Sequence, residues 1–143
     1  MTIESEPATV LDGPDAVRAA VGTELGESDW LIVSADRIAE YAASTGDRDT
    51  PTGLVPPYLL LACSNLFLPQ IVRVDGFAMG VNYGVDTVRF PTEVTAGSSV
   101  RGRATLVAVD ELPTGLQTLM RITIETIDGR AACVIDSLSR WFP

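Results

Sequence analysis

Residues 77–142 alternate between apolar and polar positions through four long stretches, while one run, 58–68, is apolar nearly all round. Period-two alternation marks strands that turn one face to a core. Strands joined in sequence by short turns pair antiparallel. The predicted strands are 77–90, 99–109, 116–127 and 131–142. Val100, Ala104, Leu106 and Ala108 share one face of the second; Met120, Ile122 and Ile124 share one face of the third, opposite Arg121, Thr123 and Glu125. Asp128-Gly129 signals a hairpin, and Gly84 a bulge. A helix apolar all round must be buried on most sides, and Pro69 is expected to end or kink it. Nothing else in the chain covers both apolar surfaces. The predicted class is therefore α+β, a curled antiparallel sheet wrapped around a long central helix.

The first half of the chain reads as shorter elements. Residues 1–12 form an acidic lead-in, expected to be loosely ordered, ahead of a single domain over 13–143. Pro14 suits the first turn of a helix whose apolar stripe is Ala16, Val17, Ala20 and Val21, ending near Gly22 or Gly26. Residues 30–33 make a short strand. Ser34 caps a second helix with Ile38, Tyr41, Ala42 and Thr45 on one face and Gly46 as its stop. Residues 47–57 are a loop rich in Asp, Thr, Gly and Pro.

Composition narrows the chemistry. The 143 residues contain no histidine, and all ten basic residues are arginines. Ser-His-Asp and Cys-His catalysis, His-ligated metal and lysine Schiff bases are thereby excluded for this chain. Proton transfer would rest on carboxylates, tyrosines, cysteines or water. The net charge of −9 is lopsided, with eleven acids against three arginines in residues 1–50. Such a surface repels phosphate backbones, so no nucleic-acid partner is expected. Cys63 and Cys133 lie in no metal-like spacing and read as buried thiols of a reducing compartment, with a disulfide the lesser reading. No basic, apolar leader opens the chain and no stretch is long enough to span a bilayer, so a soluble, cytoplasmic protein is expected. No Gly-rich phosphate loop or ligand cluster is present, and neither cofactor nor metal is expected.

Three motifs stand in this element order: Ser34 through Tyr41-Ala42 to Thr45-Gly46-Asp47, Asn82-Tyr83-Gly84 through Val88-Arg89-Phe90-Pro91, and Gly97-Ser98-Ser99-Val100-Arg101-Gly102. Together they resemble the MaoC-like family of (R)-specific enoyl-thioester hydratases and dehydratases, which have the hot-dog fold. The resemblance covers roughly residues 28–142. It implies an acyl-CoA or acyl-carrier-protein thioester as ligand and a dimer, either of identical chains or with another hot-dog chain. In that family the Asp of Gly-Asp and a His a few residues later act on water and the substrate α-carbon, and a His-Gly pair opens the central helix. Carried over, only Asp47 survives. Thr52 stands nearest the His position, Pro56-Pro57 replace His-Gly, and Ala62 replaces a helix serine that has Ser64 close by.

Asp47 is thus the one catalytic candidate; its alternative is a loop aspartate holding backbone amides after the helix stop. Thr52, Tyr58, Ser64, Asn65, Asn82, Tyr83 and Arg89 are substrate-binding candidates. Tyr58, Ser64 and Asn65 either line an acyl tunnel or satisfy neighbouring backbone. Arg89 pairs with Asp86 or Asp47, or faces the substrate. Arg101, Arg103 and Arg121 read as a solvated sheet face, more weakly as contacts to CoA phosphates. Three functions compete: an acyl-thioester enzyme using Asp47 alone for altered or weak hydro-lyase-type chemistry, a non-catalytic subunit that pairs with an active hot-dog hydratase or dehydratase, and a ligand-binding or purely structural hot-dog.

Overall fold

The computed structural model describes residues 6–143. Four long strands appear where alternation predicts them: β5 (Met79–Arg89), β6 (Ser99–Leu112), β7 (Gly115–Thr126) and β8 (Ala131–Phe142). The shorter elements are β1 (Thr9–Asp12), α1 (Pro14–Ala19), β2 (Glu24–Glu27), β3 (Leu31–Ile32), α2 (Ala35–Thr45), α3 (Pro57–Ile71) and β4 (Val72–Asp75). The main sheet has six strands in the order β2-β6-β7-β8-β5, with β3 also paired to β6, and every pairing in it is antiparallel. The sheet curls around α3 without closing into a barrel. This is the α+β hot-dog arrangement.

The inner face follows the sequence parity. Val100, Ala104, Leu106, Ile122, Ile124 and Ile135 are all buried, and α3 lays Leu59, Leu60, Cys63, Phe67 and Ile71 against them. A register shift between Leu106 and Ala108 breaks the expected single face of β6, leaving Ala108 only half-buried. In β5 the register slips between Asn82 and Gly84, one residue from the expected bulge, and again between Val85 and Thr87. The hairpin at Asp128-Gly129 forms with Gly129 at φ +83°, a conformation that favours glycine.

Three expectations are corrected. Residues 9–12 of the acidic lead-in are not loose; they form β1, which pairs in parallel with β4, while residues 1–5 lie outside the described region. Pro69 does not end the central helix. It sits in the last turn, where only the bond to the Asn65 carbonyl is lost, and fully buried Ile71 anchors the two residues beyond it. Nor is α3 buried on most sides: within the chain its opposite face stays open, with Tyr58 67% and Leu66 46% exposed. No described helix is long and apolar enough to cross a membrane.

Candidate functional site

The loop that carries Asp47 is set by the end of α2. Ser34 caps the helix by accepting from the Arg37 amide at 3.2 Å, and Gly46 closes it in the left-handed region at φ +74°. The chain then turns on Asp47, which is half-buried. Its Oδ1 accepts from the amides of Asp49 (3.1 Å) and Thr50 (3.4 Å), and its Oδ2 from the Thr50 hydroxyl (3.0 Å). Both carboxylate oxygens are therefore engaged by the loop's own donors. Backbone bonds lace the rest of the loop to the segment after β5, from Val55 to Val94 (2.8 Å) and from Ala96 to Gly53 (2.9 Å).

This lacing borders a first chamber of about 410 Å³, half-open to solvent, at the N-terminus of α3. Asp49, Thr50 and Glu93 supply polar lining, while Leu60, Phe90 and Val94 supply apolar walls. Asp47 stands behind the lining rather than in it, one residue removed through Asp49 and Thr50. Thr52 is exposed beside the chamber and does not line it. Pro56 offers no side-chain cap, so the first turn of α3 begins beside the chamber without one. Tyr58 points outward, its ring 5.8 Å from that of Phe90.

A second chamber, about 490 Å³ and likewise half-open to solvent, lies between the later turns of α3, β4 with its Arg73, and strands β5, β7 and β8, and its lining is mostly apolar. Here the structure brings together Ser64, Asn65 and Asn82, three of the predicted residues, and adds Ser137, Ser139 and Trp141. The added residues have a sequence signal. Ser137 and Ser139 continue the inward parity of Cys133 and Ile135, so alternation alone aims their hydroxyls at the helix.

Tyr83 and Arg89 lie elsewhere, on the outer face of the sheet. Tyr83 stacks beneath the Arg140 guanidinium at 3.6 Å. Among the described residues Arg89 forms no ion pair with Asp86 or Asp47; it is in register with Val134 on β8, and its charge acts weakly on Asp136 two residues further along that strand. Asp136 is gripped by Arg121 at 2.8 and 3.1 Å and by the Thr87 hydroxyl at 3.2 Å. Those contacts, the Arg121 bonds foremost, hold its carboxyl below the usual aspartate range. Arg101 likewise pairs with Glu125 (2.8 Å) and Glu27 (3.1 Å), and Arg103 with Glu24 (2.8 Å). Arg101, Arg103 and Arg121 are thus engaged by cross-strand carboxylates.

Burial raises both thiols, pushing Cys133 up to about 12. Both cysteines are buried and free, and no group of three or more metal-ligating side chains exists among the described residues.

No family model matches the chain. Individual proteins do. The 3-hydroxyacyl-thioester dehydratase Z of Mycobacterium tuberculosis is 32% identical over 139 residues, spanning 86% of this chain and 91% of that protein. The MaoC-like dehydratase of Rhodospirillum rubrum superposes with a TM-score of 0.68 at 16% identity, over 86% of this chain and 92% of that one. A chain of the C-terminally truncated HadBC (3R-hydroxyacyl-ACP dehydratase) complex of M. tuberculosis superposes with a TM-score of 0.64 at 17% identity, over 85% and 96%. With that identity across almost the whole of a dehydratase, and with a curled sheet cradling α3, this chain belongs to the MaoC-like family of hot-dog hydratases and dehydratases.

Proposed function

We propose that this chain is an acyl-thioester-binding subunit that shapes a substrate slot for a partner hot-dog chain carrying the acid and base. The observation behind this reading is the state of Asp47. Its two oxygens are taken up by Asp49 and Thr50, it stands off the chamber lining, and no histidine exists in the chain to share proton transfer. A general base must reach the proton it removes, and both Asp47 oxygens are already occupied by the loop's own donors.

Two features favour a partner. The open face of α3 exposes Tyr58 and Leu66, and edge strand β5 exposes Met79, Val81, Tyr83 and Val85 beside backbone groups that no described strand pairs. The HadBC relative is itself a dehydratase complex. The ligand would be an acyl-CoA or acyl-carrier-protein thioester, bound in the cytoplasm with its carbonyl beside the α3 N-terminus, where helix amides favour negative charge.

A second reading keeps Asp47 as a lone acid/base with altered or weak hydro-lyase chemistry. It is favoured by the nearness of the first chamber, since the two residues that hold Asp47 both line it. Short enoyl-CoA hydration by wild type and by Asp47→Ala separates the two. The subunit reading expects saturable acyl-CoA binding with no turnover by either protein. Turnover by wild type that Asp47→Ala abolishes establishes the second reading instead, and absence of any acyl-CoA binding sinks both.

A further inference from the structure

We infer that the second chamber is a site of its own for an aliphatic carboxylate, a fatty acid rather than a thioester, with the tail among its apolar walls and the carboxylate on Arg73. The inference goes beyond the acyl-thioester reading and does not depend on it.

The two chambers share no lining residue. The first borders Pro57 and Leu60 at the start of α3, whereas the second is built on the later turns of the helix and on β4, which follows it directly. From Pro57 to Ile71 the helix axis runs about 21 Å. A charged head held at β4 therefore stands far from anything bound at the helix N-terminus.

The walls suit a run of methylene groups. Met120 and Ile122, 7% and 2% exposed, present apolar surface from β7, and Leu68, Val72 and Val74 present it from α3 and β4. Asn65 and Asn82 also line the chamber but are exposed, so water keeps their amides satisfied. Trp141 is a fixed wall. Its Nε1 donates to the Thr118 hydroxyl at 3.0 Å, and its ring lies so close over Gly80 that a Cβ there would collide with it. A volume of about 490 Å³, mostly apolar with a few polar groups, is that of a small-molecule cleft.

Charge selects the head group. Arg73 is the one charged residue in the lining, in a chain whose net charge is −9. Its Nε donates to the two Asp75 oxygens at 3.1 and 3.2 Å, and no hydrogen bond among the described residues takes up its terminal nitrogens. A guanidinium anchored at one edge keeps its outer pair of nitrogens for a planar carboxylate. Asp75, and Asp12 in register with it on β1, lie outside the lining. Their nearby charges disfavour a second negative charge on the ligand, so a carboxylate fits better than a phosphate monoester.

The test titrates decanoate, decanol and decyl phosphate, all below micelle formation, into the full chain carrying Trp30→Phe, which leaves Trp141 as its one tryptophan. Fluorescence and heat of binding are read together. One decanoate is expected per chain, bound more tightly than decyl phosphate. Arg73 is 53% exposed, so Arg73→Gln should weaken decanoate about fivefold, the scale of a well-aligned surface ion pair, and leave decanol unchanged. Salt at about 0.5 M should weaken decanoate in the same sense. Decanoate binding that is absent, spread over several equivalent sites, or untouched by Arg73→Gln overturns the inference. So does an equal loss of decanol affinity in that variant, or tighter binding of decyl phosphate. Each of these results leaves acyl-thioester binding standing, because that is read with acyl-CoA at the other chamber.

Discussion

Gly102 is where β6 passes close beneath Phe67 of α3, and adding one methyl group there tests the packing on which the slot depends. A Cβ at this position would stand 2.7 Å from the Phe67 Cβ and 3.1 Å from its ring. Neither side can yield easily. Phe67 is 1% exposed in the middle of the helix. Gly102 is tied to Ser28 in both directions, its amide donating to the Ser28 hydroxyl and its carbonyl accepting from the Ser28 amide, each at 2.9 Å. Overpacking of this kind costs about 1–3 kcal/mol. Against it, replacing glycine by alanine where φ is not positive recovers about 0.4–1 kcal/mol of unfolded-chain entropy. The steric effect wins, and Gly102→Ala should destabilise by about 1–2 kcal/mol. Urea unfolding followed by circular dichroism measures this as a lower midpoint at constant slope. Phe67→Leu, which keeps the Cβ contact but withdraws the ring contacts at 3.1 Å, should be less costly in the Gly102→Ala background than in wild type by about 0.5 kcal/mol. Strict additivity of the two substitutions would show that helix and sheet do not meet at this pair, and the slot geometry would fall with it.

Two further outcomes follow from the charges and thiols. Asp136 has its carboxyl pKa depressed, chiefly by Arg121, so its stabilising effect is complete above the unfolded-state value and is lost as pH falls through the folded one. Asp136→Asn should therefore cost about 1–2 kcal/mol at neutral pH, since Arg121 is 46% exposed and recovers water, and should flatten the acid limb of the stability curve below about pH 4; an unchanged acid limb refutes the assignment. Cys63 and Cys133 are 3% and 0% exposed, with both thiol pKa values raised by burial. A thiol reagent at pH 8 should label neither until urea opens the fold, and prompt labelling of either native thiol contradicts their placement.

Periodicity alone delivered the frame. Away from the register shifts at Leu106/Ala108 and Ile124/Glu125, alternation in residues 99–142 set which side chains of β6, β7 and β8 face the helix, because side chains of a regularly paired strand obey period two. Ser34 and Gly46 marked the ends of α2 by local hydrogen bonding and left-handed backbone, and the same local chemistry carried Asp47 into the loop behind them. The parity of Ser137 and Ser139 was equally present in the sequence.

Tertiary structure decided what periodicity cannot encode. Pairing of β1 with β4 joins residues about sixty positions apart, and four-residue strands carry too little pattern to announce it. The length of α3 past Pro69 depended on Ile71 finding the core. The separation of the candidate residues was likewise a matter of three-dimensional placement: Asp47 behind one chamber, Ser64, Asn65 and Asn82 around another, Tyr83 and Arg89 on the outer face. Local sequence sets which way each side chain points; only the packing of a helix across a curled sheet sets what it points at, because that contact joins segments far apart in the chain.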